Sequence, residues 1–98
     1  MRGRFAPSPT GQLHLGNLRT ALVSWLHARS LAGEWLVRME DLDRVTSSTS
    51  IAADQLRSLA ALGMLPDGAV VNQSERFDRY RTAIATLQAH GRVYECFC

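Results

Sequence analysis

The sequence predicts an α/β protein in which a parallel β-sheet is flanked by helices. Residues 2–6 form a short segment that Pro7 ends, as expected of a brief strand. Residues 34–40 are nearly apolar on both faces, as in a parallel strand between helix layers. A segment with helical periodicity separates them, and a strand, a helix and a second strand in this order form a βαβ unit. Because ligands bind beyond the carboxyl ends of parallel strands, the residues that follow each strand are the first candidates for a functional site.

A rigid loop and an amphipathic helix connect the two strands. Pro7, Pro9 and Gly11 interrupt regular structure directly after the first strand. Apolar residues then recur at i, i+3, i+4, i+7 and i+8, which predicts the buried face of a helix: Leu18, Ala21, Leu22, Trp25 and Leu26. The helix is expected to end within residues 31–33, with Gly33 at the C′ position.

The second half of the chain predicts two further helices. The hydroxyl-rich residues 46–50 favour an N-cap, and a helix over residues 50–62 is expected to end at Gly63. Its inward-facing residues are predicted to be Ala52, Leu56, Leu59 and Ala60. After a turn over residues 64–68, the last helix ends at Gly91 and has a predicted buried seam: Phe77, Tyr80, Ile84 and Leu87.

Composition and charge limit the kinds of protein that the chain can be. Its 98 residues suit one small domain, and a hydrophobic content of 46% is that of a folded chain rather than a disordered one. The net charge of +2 is too small to indicate nucleic-acid binding by itself. No apolar run approaches the roughly 20 residues that span a bilayer, and no secretory signal precedes the first strand. We therefore expect a cytoplasmic protein whose cysteines are reduced.

The start of the first helix is the first candidate site, because His14, Gly16 and Asn17 lie there. A helix N-terminus presents free backbone N–H groups and the positive end of the helix dipole, which together can bind a phosphate. Gly16 would let a bulky ligand approach the backbone, and His14 and Asn17 would add side-chain donors. A Pro- and Gly-rich loop before a helix is also ordinary structure, so the pattern alone leaves both interpretations open.

Two groups of potential metal ligands lie elsewhere in the chain. Glu40, Asp41 and Asp43 follow the second strand, where they can form a metal site, a pocket for a cation or a turn exposed to solvent. The exposed turn is the commonest of these. Cys96 and Cys98 form a Cys-x-Cys pair, which is a weak zinc signal. Two cysteines at the end of a predicted strand are more often structural.

Longer stretches of the chain resemble one family. Residues 4–17 read Arg-Phe-Ala-Pro-Ser-Pro-Thr-Gly-Gln-Leu-His-Leu-Gly-Asn and resemble the adenylate-forming signature of the class I glutamyl-tRNA synthetases. Residues 38–43 resemble the Arg-x-Glu-Asp-x-Asp segment of that family, and residues 73–76 resemble its Gln-Ser-x-Arg segment. The chain departs from the family at Asn17, where His is common, and just after the last aspartate, where Pro and Arg are common. The resemblance spans essentially residues 1–98 and implies the N-terminal part of a Rossmann-like catalytic nucleotide-binding domain, ending at the start of a zinc-binding segment.

The resemblance implies an enzyme that activates glutamate with ATP and Mg²⁺ and transfers the glutamyl group to an RNA acceptor. Within the family the chain looks most like the short paralogues that modify the queuosine base of tRNA(Asp), and we expect a monomer. The carboxylate of the substrate itself attacks the α-phosphate, so the protein contributes positioning and charge stabilisation rather than a nucleophile.

The resemblance also assigns residues to the amino acid. Glutamate is expected to contact Arg4, Phe5, Ala6, Pro7, Ser8 and Glu40. Among these, Arg4 would bind the side-chain carboxylate of glutamate through a bidentate contact. Ser8 and Glu40 would hold the amino-acid end, with Glu40 on the α-ammonium group.

The nucleotide and the metal are assigned in the same way. ATP is expected to contact Pro7, His14, Gly16 and Asn17. His14 and Asn17 are the candidate catalytic residues, and Asn17 acts by positioning only because an amide transfers no proton. Cys96 and Cys98 would be the first two ligands of a Zn²⁺ site that other residues complete.

Three other functions remain compatible with the sequence. A discriminating glutamyl-tRNA synthetase that charges tRNA(Glu) is the nearest of them. A small-molecule nucleotidyltransferase could have a similar His-x-Gly loop, but it would not need Arg4 or Glu40. A non-catalytic fragment that binds RNA or a partner protein is the third.

Overall fold

In the computed structural model, which describes residues 1–98, three parallel strands form one sheet and three helices accompany them. In chain order the elements are β1 (Arg2–Phe5), α1 (Leu15–Ser30), β2 (Glu34–Met39), α2 (Thr49–Ala61), β3 (Val71–Asn72), a 3₁₀ turn (Gln73–Glu75) and α3 (Phe77–Ala89). The strand order is β1-β2-β3, and both pairs are parallel. The predicted α/β class is therefore confirmed, with the first two predicted strands and the second helix matched to within one residue at each end.

The strand β3 was not predicted. It is formed by Val71 and Asn72, which pair with Arg38 and Met39 of β2. Two residues carry no alternation of apolar and polar side chains, so periodicity could not reveal this strand. It makes β2 the central strand of the sheet.

The core lies against one face of β2. Trp35, Val37 and Met39 alternate along this strand, and each is at most 1% exposed. The other core residues come from β1, α1, α2 and the turn after α2: Phe5, Ala21, Ala28, Leu59 and Met64. Burial of a side chain the size of Val or Met contributes about 1.5–3 kcal/mol relative to exposure. Leu36 and Arg38 on the opposite face of β2 are only half-buried. The prediction that both faces of this strand are buried is therefore right for one face only.

Helix α1 contacts the sheet through small residues. Ala21 and Ala28 are fully buried, whereas Leu22 and Leu26 are 44% and 51% exposed. A Cβ added at Gly3 of β1 would lie only 3.1 Å from the Cβ of Ala28, so the helix and strand are too close for larger side chains between them. The predicted buried face is therefore wrong at Leu22 and Leu26, because the distance between helix and strand selects the small residues.

The end of α1 differs from the predicted C′ glycine. Ala32 occupies that position with a φ of 50°, and its N–H donates to the Arg29 carbonyl at 3.1 Å. The N–H of Gly33 donates to the Ala28 carbonyl at 2.8 Å, which completes a Schellman motif. A Cβ added at Gly33 would collide with the carbonyl oxygen of Met1. The glycine is thus needed for the close approach of the chain to the start of β1.

Helix α2 buries a polar residue that was not predicted. Leu59 is 1% exposed, and Ala52 and Leu56 are half-buried against the core, as expected. Ala60, which was predicted to face inward, is exposed. Gln55, one turn before Leu59, is buried instead and is 1% exposed.

Helix α3 differs most from the prediction, because none of its residues is buried. Phe77 and Tyr80 are half-buried, but Ile84 and Leu87 of the predicted seam are 49% and 45% exposed. An amphipathic pattern shows which face can be buried and not whether another element covers it. The helix does end at Gly91, as predicted. Neither α3 nor any other helix has the length and hydropathy that a membrane crossing needs.

Asp67 joins three segments of the fold. Its carboxylate accepts hydrogen bonds from both terminal nitrogens of the Arg29 guanidinium, at 2.6 and 3.0 Å, and from the Trp35 N–H at 2.6 Å. The bonds from Arg29, and then that from Trp35, hold the pKa of Asp67 below its usual range. The same contact with Asp67 raises the pKa of Arg29. The turn after α2 is thereby tied to the end of α1 and the start of β2.

Replacing Asp67 by Asn is expected to lower the midpoint of thermal unfolding, because a neutral amide pairs poorly with the guanidinium of Arg29. Since the folded protein depresses the pKa of Asp67, its contribution is complete above the unfolded-state pKa of about 3.9 and is lost as pH falls through the folded value. The difference between parent and variant should be full at about pH 7 and should shrink progressively as the pH falls below about 3.9. Asp78→Asn is the matched control, since Asp78 is 97% exposed in its ion pair with Arg81. Equal losses in the two variants would contradict the prediction.

Candidate active site

A cavity of about 600 Å³ lies at the carboxyl end of β1, between the loop that follows this strand, the start of α1 and α2. Many residues predicted to bind substrate line it: Arg4, Phe5, Ala6, Pro7, Ser8, His14 and Asn17. Gly16 lies beside the ring of His14 and is not part of the wall. Glu40, Cys96 and Cys98 also lie outside the wall. The structure thus brings most candidate residues of the adenylate-forming signature together in one cavity wall, whereas Glu40 and the two cysteines lie outside it.

The loop between β1 and α1 is held through its backbone carbonyls. The Pro7 carbonyl accepts a hydrogen bond from the N–H of Glu40 at 2.9 Å. The Pro9 carbonyl accepts one from the N–H of Ser48 at 3.0 Å. The side-chain amide of Gln55 donates to two further carbonyls of this loop. Because proline also fixes φ, these bonds leave the loop little conformational freedom.

His14 is the N-cap of α1, and its ring is bound to the helix. Its Nδ1 accepts hydrogen bonds from the N–H groups of Gly16 and Asn17 at 3.1 and 3.3 Å, and the Asn17 Oδ1 accepts one from the His14 N–H at 3.2 Å. This reciprocal capping box uses the N–H groups that were predicted to be free for a phosphate, which corrects that expectation. With Nδ1 as an acceptor, a neutral ring carries its proton on Nε2, which remains a donor.

Gly16 leaves room for the ring of His14. A Cβ added at Gly16 would lie 3.0 Å from the ring Cε1 and 3.1 Å from Nδ1. Such a methyl group would crowd the ring, which would have to shift by a few tenths of an ångström. The sequence suggested that Gly16 lets a ligand approach the backbone. The structure gives a second reason for a glycine here, which is the space that the His14 ring occupies.

Asp41 and Asp43 serve the structure of the loops. Burial alone would raise the pKa of Asp41, but hydrogen bonds from the N–H and hydroxyl of Ser74, at 2.8 and 2.6 Å, bring it below its usual value. Asp43 accepts from the Thr46 hydroxyl at 2.7 Å and from the Val45 N–H at 2.9 Å, and these bonds lower its pKa and close a turn. No three potential ligand side chains come together as a metal site. The interpretation as an exposed turn is therefore right for Asp43.

Glu40 lies beside the cavity without lining it. One oxygen of its carboxylate accepts a hydrogen bond from the Arg38 guanidinium at 2.6 Å, and the second oxygen has no hydrogen bond. Arg38 belongs to the recognised motif but had no predicted role. Its position two residues before Glu40 was the signal, because side chains at i and i+2 of an extended segment share a face.

Cys96 and Cys98 lie in an exposed segment without regular structure, so the predicted strand at this end of the chain is wrong. Their sulfur atoms are 3.1 Å apart, and the hydrogen bond with Cys98 lowers the pKa of the Cys96 thiol. Both sulfurs can face one metal ion, but they supply only two of the four ligands of a structural zinc site. The pair therefore fits part of a zinc site.

We expect the 98-residue chain to bind zinc weakly, because two thiolates leave the coordination of the metal incomplete. Metal analysis of the purified chain, beside the Cys96→Ser, Cys98→Ser double variant, measures this. The parent should hold zinc well below one equivalent after dialysis. One tightly held zinc per monomer, lost in the double variant, would show instead that residues taken here as structural complete the site.

The fold and the signature loop are those of a tRNA synthetase catalytic domain. The family model described as "tRNA synthetases class I (E and Q), catalytic domain" matches residues 1–98. The chain belongs to this family, which confirms the family predicted from the signature motifs.

Individual relatives give the same result. The chain is 57% identical to the glutamyl-Q tRNA(Asp) synthetases of Chromobacterium violaceum and Cutibacterium acnes, over 99% and 98% of its length. Among solved structures, a glutamate tRNA ligase from Elizabethkingia meningosepticum in complex with its amino acid has a TM-score of 0.78 and 39% identity, over 88% of this chain and 19% of that one. The chain spans 33% and 27% of the two curated relatives, about a third of their length or less.

Proposed function

We propose that the protein carrying this chain uses ATP to activate glutamate and transfers the glutamyl group to the queuosine base of tRNA(Asp). The cavity beside β1 carries this proposal, because its wall collects an arginine, a serine and a histidine from the adenylate-forming signature. The family implies glutamate or glutamine chemistry on tRNA, with ATP as the energy source. The choice of acceptor is supported by the relatives, which are named for tRNA(Asp).

Glutamate would lie between Arg4 and Glu40. Arg4 is exposed on the cavity wall and takes part in none of the ion pairs of the chain, so its guanidinium can bind the side-chain carboxylate through two bonds. The free oxygen of Glu40 would accept a bond from the α-ammonium group while Arg38 holds the other oxygen. Ser8 would assist at the amino-acid end. The remaining wall on this side is Phe5, Ala6 and Pro7.

ATP would lie against the start of α1, near Pro7 and His14. In the reaction an oxygen of the α-carboxylate of glutamate bonds to the α-phosphorus, and the bond from that phosphorus to pyrophosphate breaks. Negative charge grows on the phosphate oxygens, where the Nε2–H of His14 and the positive end of the α1 dipole would stabilise it. Asn17 would hold His14 in place through the capping box, and Gly16 would leave room for the ring. Mg²⁺ would accompany the phosphates of ATP.

The remaining assignments concern the whole protein. Residues 1–98 would form the N-terminal part of the catalytic nucleotide-binding domain and reach the start of a zinc-binding segment. Cys96 and Cys98 would supply two ligands of that Zn²⁺ site, and another segment would supply the rest. The protein would act as a monomer in the cytoplasm, on tRNA.

Charging of tRNA(Glu) is the second candidate function. It is favoured by the solved structures, which are a glutamate tRNA ligase and a glutamate-tRNA synthetase, each 39% identical to this chain. The two candidates share the activation of glutamate and differ only in the acceptor. The higher identity to the relatives named for tRNA(Asp) is the reason that we propose the queuosine base as the acceptor.

Two measurements on the full-length protein test the proposal. Glutamate-dependent exchange of pyrophosphate into ATP reports adenylate formation, and its absence would favour the non-catalytic alternative. Labelled glutamate is then offered with queuosine-containing tRNA(Asp), the same tRNA without queuosine, and tRNA(Glu). Label on the first RNA alone is expected. Label on the 3′ end of tRNA(Glu) would instead identify a discriminating glutamyl-tRNA synthetase.

A further inference from the structure

The amide of Gln55 reaches from α2 to the signature loop. Its Nε2 donates hydrogen bonds to the carbonyl oxygens of Ser8 at 3.0 Å and Gly11 at 2.7 Å, residues that lie 47 and 44 positions earlier in the chain. The residue is 1% exposed and also belongs to the cavity wall. No other residue of α2 touches this cavity.

The burial of this amide needs an explanation. Because both partners are carbonyl oxygens, the amide nitrogen must face them, and the orientation of the side chain follows from the hydrogen bonds. The amide oxygen is then buried without a hydrogen-bond partner. An apolar side chain of the same size would avoid that cost and would pack as well against the core. The amide therefore stabilises the loop, whose carbonyls it binds, rather than α2.

Gln55 completes the set of bonds that hold the loop carbonyls. The Pro7 and Pro9 carbonyls bind backbone N–H groups, which any residue type provides. The Ser8 and Gly11 carbonyls bind the Gln55 side chain, so these two bonds depend on one residue type. They fix the part of the loop that brings Ser8 to the cavity wall and leads into His14.

We propose that Gln55 is a positioning residue for glutamate activation, which sets the geometry of the loop over residues 8–11 and thereby of the substrate-binding wall. This inference rests on the proposed function. Gln55 acts through the loop backbone and not by contact with the reacting atoms. Small displacements of positioning groups can lower rates strongly, up to about 100-fold for a shift of about 1 Å.

Gln55→Met is the variant that tests this role in the full-length protein. Methionine has nearly the same length and volume, so it fills the buried space of Gln55, and it removes both hydrogen bonds. We expect kcat/KM for glutamate in pyrophosphate exchange to fall by at least about tenfold, mostly through a raised glutamate KM, and the unfolding midpoint to fall as well, because two loop carbonyls lose a hydrogen-bond donor. A merely structural glutamine would lower the midpoint and leave the glutamate KM at the parent's value, so the KM is the measurement that decides between the two roles.

Two further measurements keep the proposal falsifiable. Hydrogen exchange of the amides of residues 8–14 should be faster in Gln55→Met than in the parent, and this readout does not require activity. Gln55→Asn, which keeps the amide but is one methylene shorter, should show the same changes and replaces the methionine variant if that one does not fold. Gln88→Met on the exposed surface of α3 is the matched control and should change nothing.

The outcomes separate the two proposals. A parent protein without glutamate-dependent exchange would overturn the proposed function, and the hydrogen-exchange comparison would still decide whether Gln55 holds the loop. An active parent whose Gln55→Met and Gln55→Asn variants keep its glutamate KM and its loop protection would overturn the role of Gln55 alone.

Discussion

Replacing His14 by alanine is expected to lower glutamate-dependent pyrophosphate exchange by more than about tenfold, which corresponds to about 1.4 kcal/mol of transition-state stabilisation. The change removes the Nε2–H donor that would face the phosphates. It also removes the Nδ1 acceptor that binds the N–H groups of Gly16 and Asn17 at the start of α1. Loss of an N-cap costs about 1 kcal/mol of stability, so the unfolding midpoint should fall as well.

His14→Asn separates the two roles of the ring. Asparagine is among the best N-cap residues, so this variant should recover the stability that alanine loses. It cannot place a donor where the ring Nε2–H lies, so exchange should stay low. If His14→Asn restored both stability and exchange to the parent level, His14 would be a helix cap only and would have no part in the chemistry.

Replacing Arg4 by lysine is expected to raise the glutamate KM by roughly 10- to 150-fold, the equivalent of one lost charge-assisted hydrogen bond of about 1.5–3 kcal/mol. A lysine ammonium is a point charge and cannot reproduce the two parallel bonds that a guanidinium makes with a carboxylate. KM for ATP should change little, because Arg4 lies at the end of the cavity wall formed by β1 and not at the start of α1.

Arg2→Lys is the matched control on the same strand. Arg2 is exposed and forms a surface ion pair with Glu34, so its replacement should leave the glutamate KM unchanged. Glu40→Gln should raise the glutamate KM as Arg4→Lys does, because an amide attracts the α-ammonium group less than a carboxylate. Parent-like KM values in both Arg4→Lys and Glu40→Gln would mean that glutamate is not the substrate bound here.

Much of the candidate site could be read from the sequence because it is local. Arg4, Ser8 and His14 are close in space largely because they are close in sequence, on one strand, one loop and one helix start. Their grouping in one cavity therefore follows once the βαβ unit is recognised. The reason for Gly16 was missed, since it depends on which way the ring of His14 turns.

Contacts between distant segments were not predictable in the same way. Gln55 reads as one more polar residue on an amphipathic helix, and only the packing of α2 against the loop places its amide beside two carbonyls. Asp67 reads as a turn residue, and only the approach of α1 and β2 gives it Arg29 and Trp35 as partners. No periodic pattern in the sequence records such pairings.

The sequence by itself determined the α/β class, the first βαβ unit, the three helices and the family, because these depend on local periodicity, on turn residues and on a contiguous signature motif, but it missed β3 and predicted a strand at the end of the chain that is absent. Tertiary structure alone decided which predicted faces are buried. Ala28 rather than Leu26 is buried against the sheet because α1 lies too close to β1 at Gly3 for a larger side chain, and Ile84 stays exposed because no element covers that face of α3. Burial is a property of two surfaces at a given distance, and a one-dimensional pattern describes only one of them.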